Sequence, residues 1–415
     1  SDWSSDVCSS DLFKKEGMMK KRLGLVLLIS LAFLLSFAPN LCAEVGVTDT
    51  EIHLGQWGPQ TGPAAAWGNV ARGTRDYFKW INDNGGIHGR KIVYHMFDDG
   101  YNPAKTKAGV KELQEGTGMF AWACGVGTSP GLAVRDYLAK KNIPWVGPAA
   151  GSMHWVDPPQ NNLFAVYPLY YGEAKALIKY AIETMGKKRI AIAYLNDEYG
   201  KNGLRGALEE LKAHGMKAVA QVSMENKDTD LKPHVMKLRQ SKADLVLMWT
   251  GVGHSARIVG ISKAMKFEPQ FMSTSTTSDF PFMMHITKGL WEGVITGTLG
   301  ELPDSGYPLL DKYKEEVFDK YAAKEERWGV FYYAGILFTE PMIEGLKKTG
   351  RDLTRENFIN AMEQIKGFKG IGPEVNYKPF NKNDMYSRQG ASQTFLVQCL
   401  AGGKAKKLTD WMSIK

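Results

Sequence analysis

The stretch of the sequence best suited to chemistry is Gly-Val-Gly-Thr-Ser-Pro-Gly-Leu, residues 125–132, which follows an apolar segment at residues 119–124. Serine is a preferred helix N-cap and proline is favoured at the first helical position, so Ser129 and Pro130 predict the start of a helix. The first N–H groups of a helix have no acceptor inside it and lie at the positive end of its dipole. We therefore interpret residues 125–132 as a site that holds a small carboxylate.

The same stretch also contains the pattern Gly127-Thr-Ser-Pro-Gly131, between a predicted strand and a predicted helix. In serine hydrolases this context presents the nucleophile, and the N–H group of the next residue forms part of the oxyanion hole. Here the next residue is Pro130, which has no N–H group. A serine hydrolase is therefore a disfavoured alternative, and we predict no catalytic residue and a non-enzymatic function.

Two further chemistries find no support in the sequence. The dinucleotide pattern Gly-x-Gly-x-x-Gly fails at its third glycine, where Pro130 stands. The eight histidines are scattered without the spacing of a metal site. We predict neither a metal nor a cofactor, and we interpret His154 and His254 as solvated loop histidines.

Composition limits the partners that the protein can have. The net charge is +8 over 415 residues, and the basic residues are spread along the chain, so a nucleic-acid-binding face is not expected. Residues 1–17 are interpreted as a non-native leader. Residues 18–43 combine a basic start with a short apolar run and are interpreted as a signal peptide, which predicts a periplasmic protein. A lipoprotein processed at Cys42 is the less favoured alternative.

The elements that must position the carboxylate site alternate between strand and helix. The alternation runs through residues 51–147 and again through residues 171–272, which predicts parallel sheets with helices on both faces. After Glu292 come three predicted helices and a late strand at residues 394–399, which do not form a third unit. This tail must complete the two earlier ones. The predicted fold class is therefore α/β, with two doubly wound parallel-sheet lobes.

Five short motifs then occur in order along the chain, with the expected elements between them. They lie at residues 58–68, 81–92, 98–103, 143–150 and 196–200, and a Phe-Met pair follows at residues 271–272. Together they closely resemble the periplasmic branched-chain amino-acid binding proteins of ABC importers. The resemblance runs from Val45 to the C-terminus.

The resemblance implies two lobes with a ligand cleft between them, joined by three hinge crossings near Tyr167, near Thr298 and within residues 378–387. Lobe 1 would then comprise residues 44–167 and 299–380. Lobe 2 would comprise residues 168–298 and 381–415.

The resemblance also places the ligand-binding residues. Gly127, Thr128 and Ser129 would form the carboxylate loop, and Trp67 and Tyr199 would cover the ligand from the two lobes. The other implied residues are Ala149 through its backbone, Gly151 or Ser152 through an N–H or hydroxyl group, Thr250 and Gly251.

The sequence departs from the resembling proteins at two places. They carry an acidic residue soon after the Phe-Met strand, which pairs with the ligand's ammonium, but Ser275 stands there in this chain. Either Asp279 reaches in, or the ligand has no α-ammonium and is a hydroxy, keto or aromatic acid or an amide; we favour the second. The second departure is that Cys124 lacks the disulfide partner seen in some family members, so we expect it to be free and buried.

The function that the resemblance implies is that of a monomeric extracytoplasmic solute receptor. It would capture a small-molecule ligand by hinge closure and deliver it to the permease and ATPase of an ABC importer. A sensory ligand-binding module of the same fold, which a transmembrane helix and a signalling domain would follow, is a second alternative.

Overall fold

Two β-sheets organise the part of the chain that the structure, a computed structural model, describes: residues 44–414. The predicted leader and signal peptide, residues 1–17 and 18–43, lie outside the described residues. The strands are β1 (Glu51–Gly58), β2 (Lys91–Asp98), β3 (Ala121–Ala123), β4 (Trp145–Val146), β5 (Leu163–Phe164), β6 (Ile190–Leu195), β7 (Ala220–Met224), β8 (Leu245–Trp249), β9 (Gln270–Ser273), β10 (Ile295–Gly297), β11 (Gln393–Thr394), β12 (Leu396–Cys399), β13 (Ala405–Lys407) and β14 (Met412–Ser413).

Twelve α-helical segments cover the sheets within the described residues. They are α1 (Asn69–Asp83), α2 (Pro103–Glu115), α3 (Thr128–Lys140), α4 (Tyr170–Glu183), α5 (Glu198–Ala213), α6 (Lys232–Gln240), α7 (Val252–Ala264), α8 (Phe280–Ile286), α9 (Pro308–Tyr313), α10 (Asp319–Tyr321), α11 (Val330–Thr349) and α12 (Arg355–Glu363).

The first sheet has the strand order β2-β1-β3-β4-β5, and every pair in it is parallel. The second sheet has the order β13-β12-β10-β9-β8-β6-β7. Its pairs from β7 to β10 are parallel, as expected for apolar strands such as β8, whose five residues are all buried. The predicted class of two doubly wound lobes is confirmed.

The tail after residue 298 contributes to both lobes, as predicted. Helix α11 packs on α1 in the first lobe. A methyl group on Gly73 would lie 2.0 Å from the Tyr332 carbonyl oxygen, and one on Gly335 would lie 2.1 Å from the Val70 carbonyl oxygen. Only glycine permits so close an approach of the two backbones. Strands β12 and β13 instead add an antiparallel edge to the second sheet, which the sequence did not predict.

The chain passes between the sheets at three places that lie side by side. The first crossing follows β5, and the Ala165 N–H group donates to the Arg388 carbonyl oxygen over 2.9 Å. The second follows β10, and the hydroxyl of Thr394 donates to the Thr298 carbonyl oxygen over 2.8 Å. The third crossing therefore lies at residues 389–394, after the range that the sequence predicted.

Several predicted elements have different bounds in the structure. Helix α3 begins at Thr128 with Gly127 as its N-cap, so the predicted N-cap role of Ser129 is wrong. The helix predicted over residues 307–321 includes a π-helical turn at Lys314–Phe318. Cys124 and Cys399 are free and buried. Within residues 44–414, no helix is both long and apolar enough to cross a bilayer.

Candidate functional site

A cavity of about 280 Å³ lies between the two lobes. The first lobe contributes residues of the β1–α1 loop, the turn after β2, the start of α3 and the loop after β4. The second lobe contributes residues at the carboxyl ends of strands β6, β7, β8 and β9. Open α/β sheets bind ligands at this edge. The lining residues are Pro63, Ala64, Trp67, Gly100, Tyr101, Val126, Gly127, Thr128, Ala149, Tyr170, Leu195, Tyr199, Asn226, Lys227, Gly251, Val252, Gly253, His254 and Thr276.

The start of α3 supplies an unused polar group to this cavity. Thr128 is the first residue of α3, and its side chain is buried. Its Oγ1 has no hydrogen-bond partner among the described residues. Because a buried hydroxyl without a partner costs free energy, this oxygen is poised for a group that the cavity would hold. The N–H groups of the first residues of α3 have no intrahelical acceptor and add positive potential at the same place.

Gly127 gives the carboxylate loop its shape. Its φ is 101°, in the left-handed region, and a methyl group there would lie 2.4 Å from the Tyr101 ring. Glycine is therefore required both for the backbone turn and for the packing of Tyr101 against it. Ser129 is half-buried and is not one of the lining residues, so the structure does not place it at the cavity, and its contact with a ligand stays a prediction.

Aromatic side chains cover the cavity from the first lobe. Trp67 lines it, as predicted, and its ring packs edge-on against Phe331 at 5.0 Å. Tyr101 also lines it, which the sequence did not predict. Tyr101 stands at φ 62° in a turn held by Asp99, which accepts its N–H group over 2.9 Å. The Asp98-Asp99 pair at the end of β2 was the available signal for this position.

The second lobe contributes a tyrosine pair. Tyr199 lines the cavity, as predicted, and its hydroxyl lies 2.8 Å from Thr276 Oγ1. Tyr170, which the sequence did not predict, packs edge-on against Tyr199 at 5.1 Å. Burial raises the pKa of both hydroxyls well above the usual value, so both tyrosines are neutral.

His254 lies in the first turn of α7, is buried, and lines the cavity, so its interpretation as a solvated histidine is wrong. Its Nε2 is 3.1 Å from the Glu225 carbonyl oxygen. Burial lowers the pKa of His254, so the ring is neutral at pH 7. Asn226 and Lys227, on the loop after β7, complete this end of the cavity and were also not predicted.

Three ligand-binding residues were predicted in the loop after β4. One of them lines the cavity, and the other two hold the neighbouring backbone in place. Ala149 lines the cavity, but its N–H group donates to the Gly125 carbonyl oxygen over 3.1 Å and is not free for a ligand. Gly151 and Ser152 are not lining residues, and the structure places them beside the cavity as supporting residues. The Gly151 carbonyl accepts the Tyr170 N–H group over 2.7 Å, and Ser152 caps a short 3₁₀ helix at Met153–Trp155.

Two ligand-binding residues were predicted in the loop after β8, and only one of them lines the cavity. Gly251 lines the cavity, as predicted. Thr250 is not a lining residue, and its Oγ1 lies 2.8 Å from Ser255 Oγ, so its hydroxyl is engaged within the second lobe.

Ser275 and Asp279, the two candidates for an ammonium partner, are both engaged elsewhere. The hydroxyl of Ser275 donates to Glu173 Oε2 over 2.8 Å and also contacts the Tyr167 hydroxyl. Asp279 caps α8 and accepts the Phe331 N–H group over 3.2 Å. Neither residue is among those that line the cavity, so the structure does not bring either carboxyl or hydroxyl group to it, and Asp279 does not reach in.

The lobes also touch beside the cavity. The Met153 N–H group of the first lobe donates to Asn202 Oδ1 on α5 over 3.0 Å. His154 Nε2 lies 3.0 Å from Glu198 Oε2, also on α5. His154 is thus half-exposed but bonded across the cleft.

Comparison with known proteins agrees with this geometry. A family model described as "Periplasmic binding protein" matches residues 51–404, most of the chain. The chain belongs to the periplasmic binding protein family. The resemblance that the motifs indicated is confirmed.

The curated relatives of this periplasmic binding protein include Leu/Ile/Val-binding protein BraC3 of Rhizobium johnstonii, 29% identical over 216 residues. That alignment covers 51% of this chain and only 56% of BraC3. The Leucine-specific-binding protein of Salmonella typhimurium is 23% identical over 258 residues, which are 61% of this chain and 69% of that protein.

Solved structures of similar fold are named for different ligands. A branched-chain amino acid ABC transporter protein from Thermus thermophilus, with bound valine, has a TM-score of 0.79 at 20% identity and covers 88% of this chain and 97% of that one. A fatty acid ABC transporter substrate-binding protein from Thermomonospora curvata has a TM-score of 0.80 at 21% identity, covering 89% and 94%. At these identities the likeness shows the fold alone.

Proposed function

We propose that this protein is a non-enzymatic solute receptor of the periplasm, which holds a small carboxylate-bearing ligand between its lobes and delivers it to the permease and ATPase of an ABC importer. The observation that carries the proposal is the unpartnered Thr128 hydroxyl at the start of α3, in a cavity lined by both lobes. A carboxylate would accept a hydrogen bond from this hydroxyl, and the positive end of the α3 dipole would stabilise its charge.

Hinge closure is part of the proposal. The three crossings near Tyr167, Thr298 and residues 389–394 would bend, and the aromatic rings of both lobes would then exclude water from the ligand. A ligand shifts the balance between open and closed forms only as far as it prefers the closed one. The division of the chain into two moving lobes at these crossings is a prediction of the same mechanism.

The serine hydrolase alternative loses support at the same site. Ser129 does not line the cavity, and Pro130 follows it without an N–H group to stabilise an oxyanion. A small carboxylate in this cavity would thus be held and released unchanged.

Calorimetry combined with small-angle X-ray scattering tests the proposal. We expect a carboxylate that binds with a 1:1 stoichiometry to lower the radius of gyration, because closure brings the lobes together. Binding without any compaction would contradict the hinge mechanism. A failure of every small carboxylate to bind would contradict the receptor function.

A further inference from the structure

The polar groups that line the cavity differ in kind from one end to the other, and they bear on the identity of the ligand. Of the described residues that line it, Lys227 alone carries a formal charge at neutral pH, and none is acidic. An ammonium group buried here would meet no carboxylate, at a large cost in desolvation. The positive charge of Lys227 favours a ligand with a net negative charge in the cavity and opposes a cationic one.

Two buried carboxylates close to lining residues are already occupied by protein groups. Asp197 caps α5, accepts the Gly200 N–H group over 2.9 Å and contacts Asn226 Nδ2 at 3.1 Å. Glu173 is fully buried behind Ser275, and both of its oxygens accept hydrogen bonds from that residue. Recruiting either carboxylate for a ligand would break these bonds.

His254 supplies an acceptor at the end of the cavity formed by the second lobe. The Glu225 carbonyl oxygen can only accept, so the Nε2 that faces it must carry the proton. The ring is neutral, which leaves Nδ1 with a lone pair. This nitrogen lies beside Gly251, another lining residue, where a methyl group would come within 3.9 Å of it. A ligand group that donates a hydrogen bond, such as a hydroxyl, suits this position.

We propose that the ligand is an aromatic hydroxy acid without an amino group. This inference rests on the receptor function proposed above and names its substrate class. The carboxylate lies at Thr128 and the start of α3, and the ring lies among Trp67, Tyr101, Tyr170 and Tyr199. The ligand hydroxyl donates to His254 Nδ1. His254 is then a specificity-determining residue that selects hydroxylated over plain aromatic acids.

Isothermal titration with matched probes tests the assignment. The probes are 4-hydroxybenzoate and 4-hydroxyphenylacetate, their counterparts benzoate and phenylacetate, and L-tyrosine, tyramine and L-leucine. We expect at least one hydroxylated acid to bind about tenfold more tightly than its counterpart, the usual effect of one neutral hydrogen bond. We expect the three amines to bind at least about a hundredfold more weakly, because the ammonium group is unpaired.

The variant His254→Phe separates specificity from folding. It should lose the tenfold preference for the hydroxylated acid over its plain counterpart, because phenylalanine has no hydrogen-bond acceptor, and retained binding of the plain acid shows that the variant folds. A preference that persists in H254F would overturn the role of His254. If the variant does not fold, His254→Leu, which also has no hydrogen-bond acceptor in its side chain, serves the same comparison.

The outcomes also separate this inference from the function on which it rests. Tight binding of L-leucine or L-tyrosine with compaction of the protein would overturn the amine-free assignment and leave the receptor function standing. Equal binding of hydroxylated and plain acids would overturn the hydroxyl assignment alone. If no carboxylate binds, both proposals fail.

Discussion

At the scale of single residues, Thr128 shows how a buried hydroxyl without a hydrogen-bond partner can favour the binding of a ligand. Its hydroxyl is buried and unpartnered in the described structure, so it weakens the protein slightly without a ligand and is ready to donate with one. The positive end of the α3 dipole lies at the same point. Under the proposed function, the Thr128 hydroxyl is thus a small cost to stability and a gain to ligand binding.

The change Thr128→Val should separate these two effects. Valine keeps the shape and removes the unpartnered hydroxyl, so we expect unchanged or slightly raised stability, by up to about 1 kcal/mol. Carboxylate affinity should fall about tenfold or more, because a charge-assisted hydrogen bond is lost. Thermal unfolding and calorimetry measure the two quantities.

Thr339→Val is the matched control for this change. Thr339 is also buried, but its hydroxyl donates within α11 to the Gly335 carbonyl oxygen, and it does not line the cavity. We expect it to lower stability and leave affinity unchanged. A T128V protein that binds carboxylates as the wild type does would refute the role given to Thr128.

At the scale of elements, the sequence predicted the alternation of strands and helices well because each parallel strand is a short apolar run between turn residues. The prediction from sequence failed where a tertiary contact determines the start of a helix or the direction of a strand. The N-cap of α3 is Gly127 instead of Ser129, because the left-handed Gly127 turns the chain two residues earlier than predicted. The strand β12 was predicted, but its antiparallel direction was not, since that direction depends on its pairing with β10, about a hundred residues earlier.

The predicted site residues likewise include some that the structure brings to the cavity and some that it does not. Trp67, Gly127 and Thr128 line the cavity as motifs indicated, because each follows a strand whose end is fixed by the sheet. Ser275 occupies the expected loop but turns toward Glu173, on a helix about a hundred residues earlier. No local pattern in the sequence could reveal that contact.

Glu173 also gives the crossing region a pH dependence. It lies against β10, where a methyl group on Gly297 would come 2.6 Å from its Oε1. Burial raises its pKa to about 7, and hydrogen bonds from Ser275 and Thr274 oppose the rise. Between the ordinary value of about 4.5 and 7, the unfolded state has lost this proton while the folded state keeps it. The free energy of unfolding therefore falls as pH rises through this range.

We expect Glu173→Gln to remove this part of the decline, which is about 3 kcal/mol at most between pH 4.5 and 7. Glu340, whose pKa burial also raises to about 7, contributes a second share, so the double change with Glu340→Gln should flatten the profile further. Urea unfolding at several pH values measures it. An unaltered slope in E173Q would show that this carboxyl does not keep its proton in the folded state.

At the scale of the whole molecule, the protein has two lobes whose faces meet around the cavity and at its rim. The rim contacts are polar: His154 with Glu198, and the Met153 N–H group with Asn202. Such contacts exist only while the lobes are together. They should therefore influence how long a ligand is retained more than how stably each lobe folds.

Breaking one rim contact should weaken ligand binding with little effect on folding. The side chains of His154 and Glu198 are 38% and 40% exposed, and a pair this exposed is worth about 0.2–1 kcal/mol. We expect His154→Ala to lower affinity up to about fivefold, mainly through faster dissociation, because closing the lobes no longer forms the pair. His214→Ala is the control, since His214 bonds Glu183 at 3.2 Å within the second lobe. Stopped-flow release rates that change equally in both variants, or in neither, would mean that this contact does not hold the lobes closed.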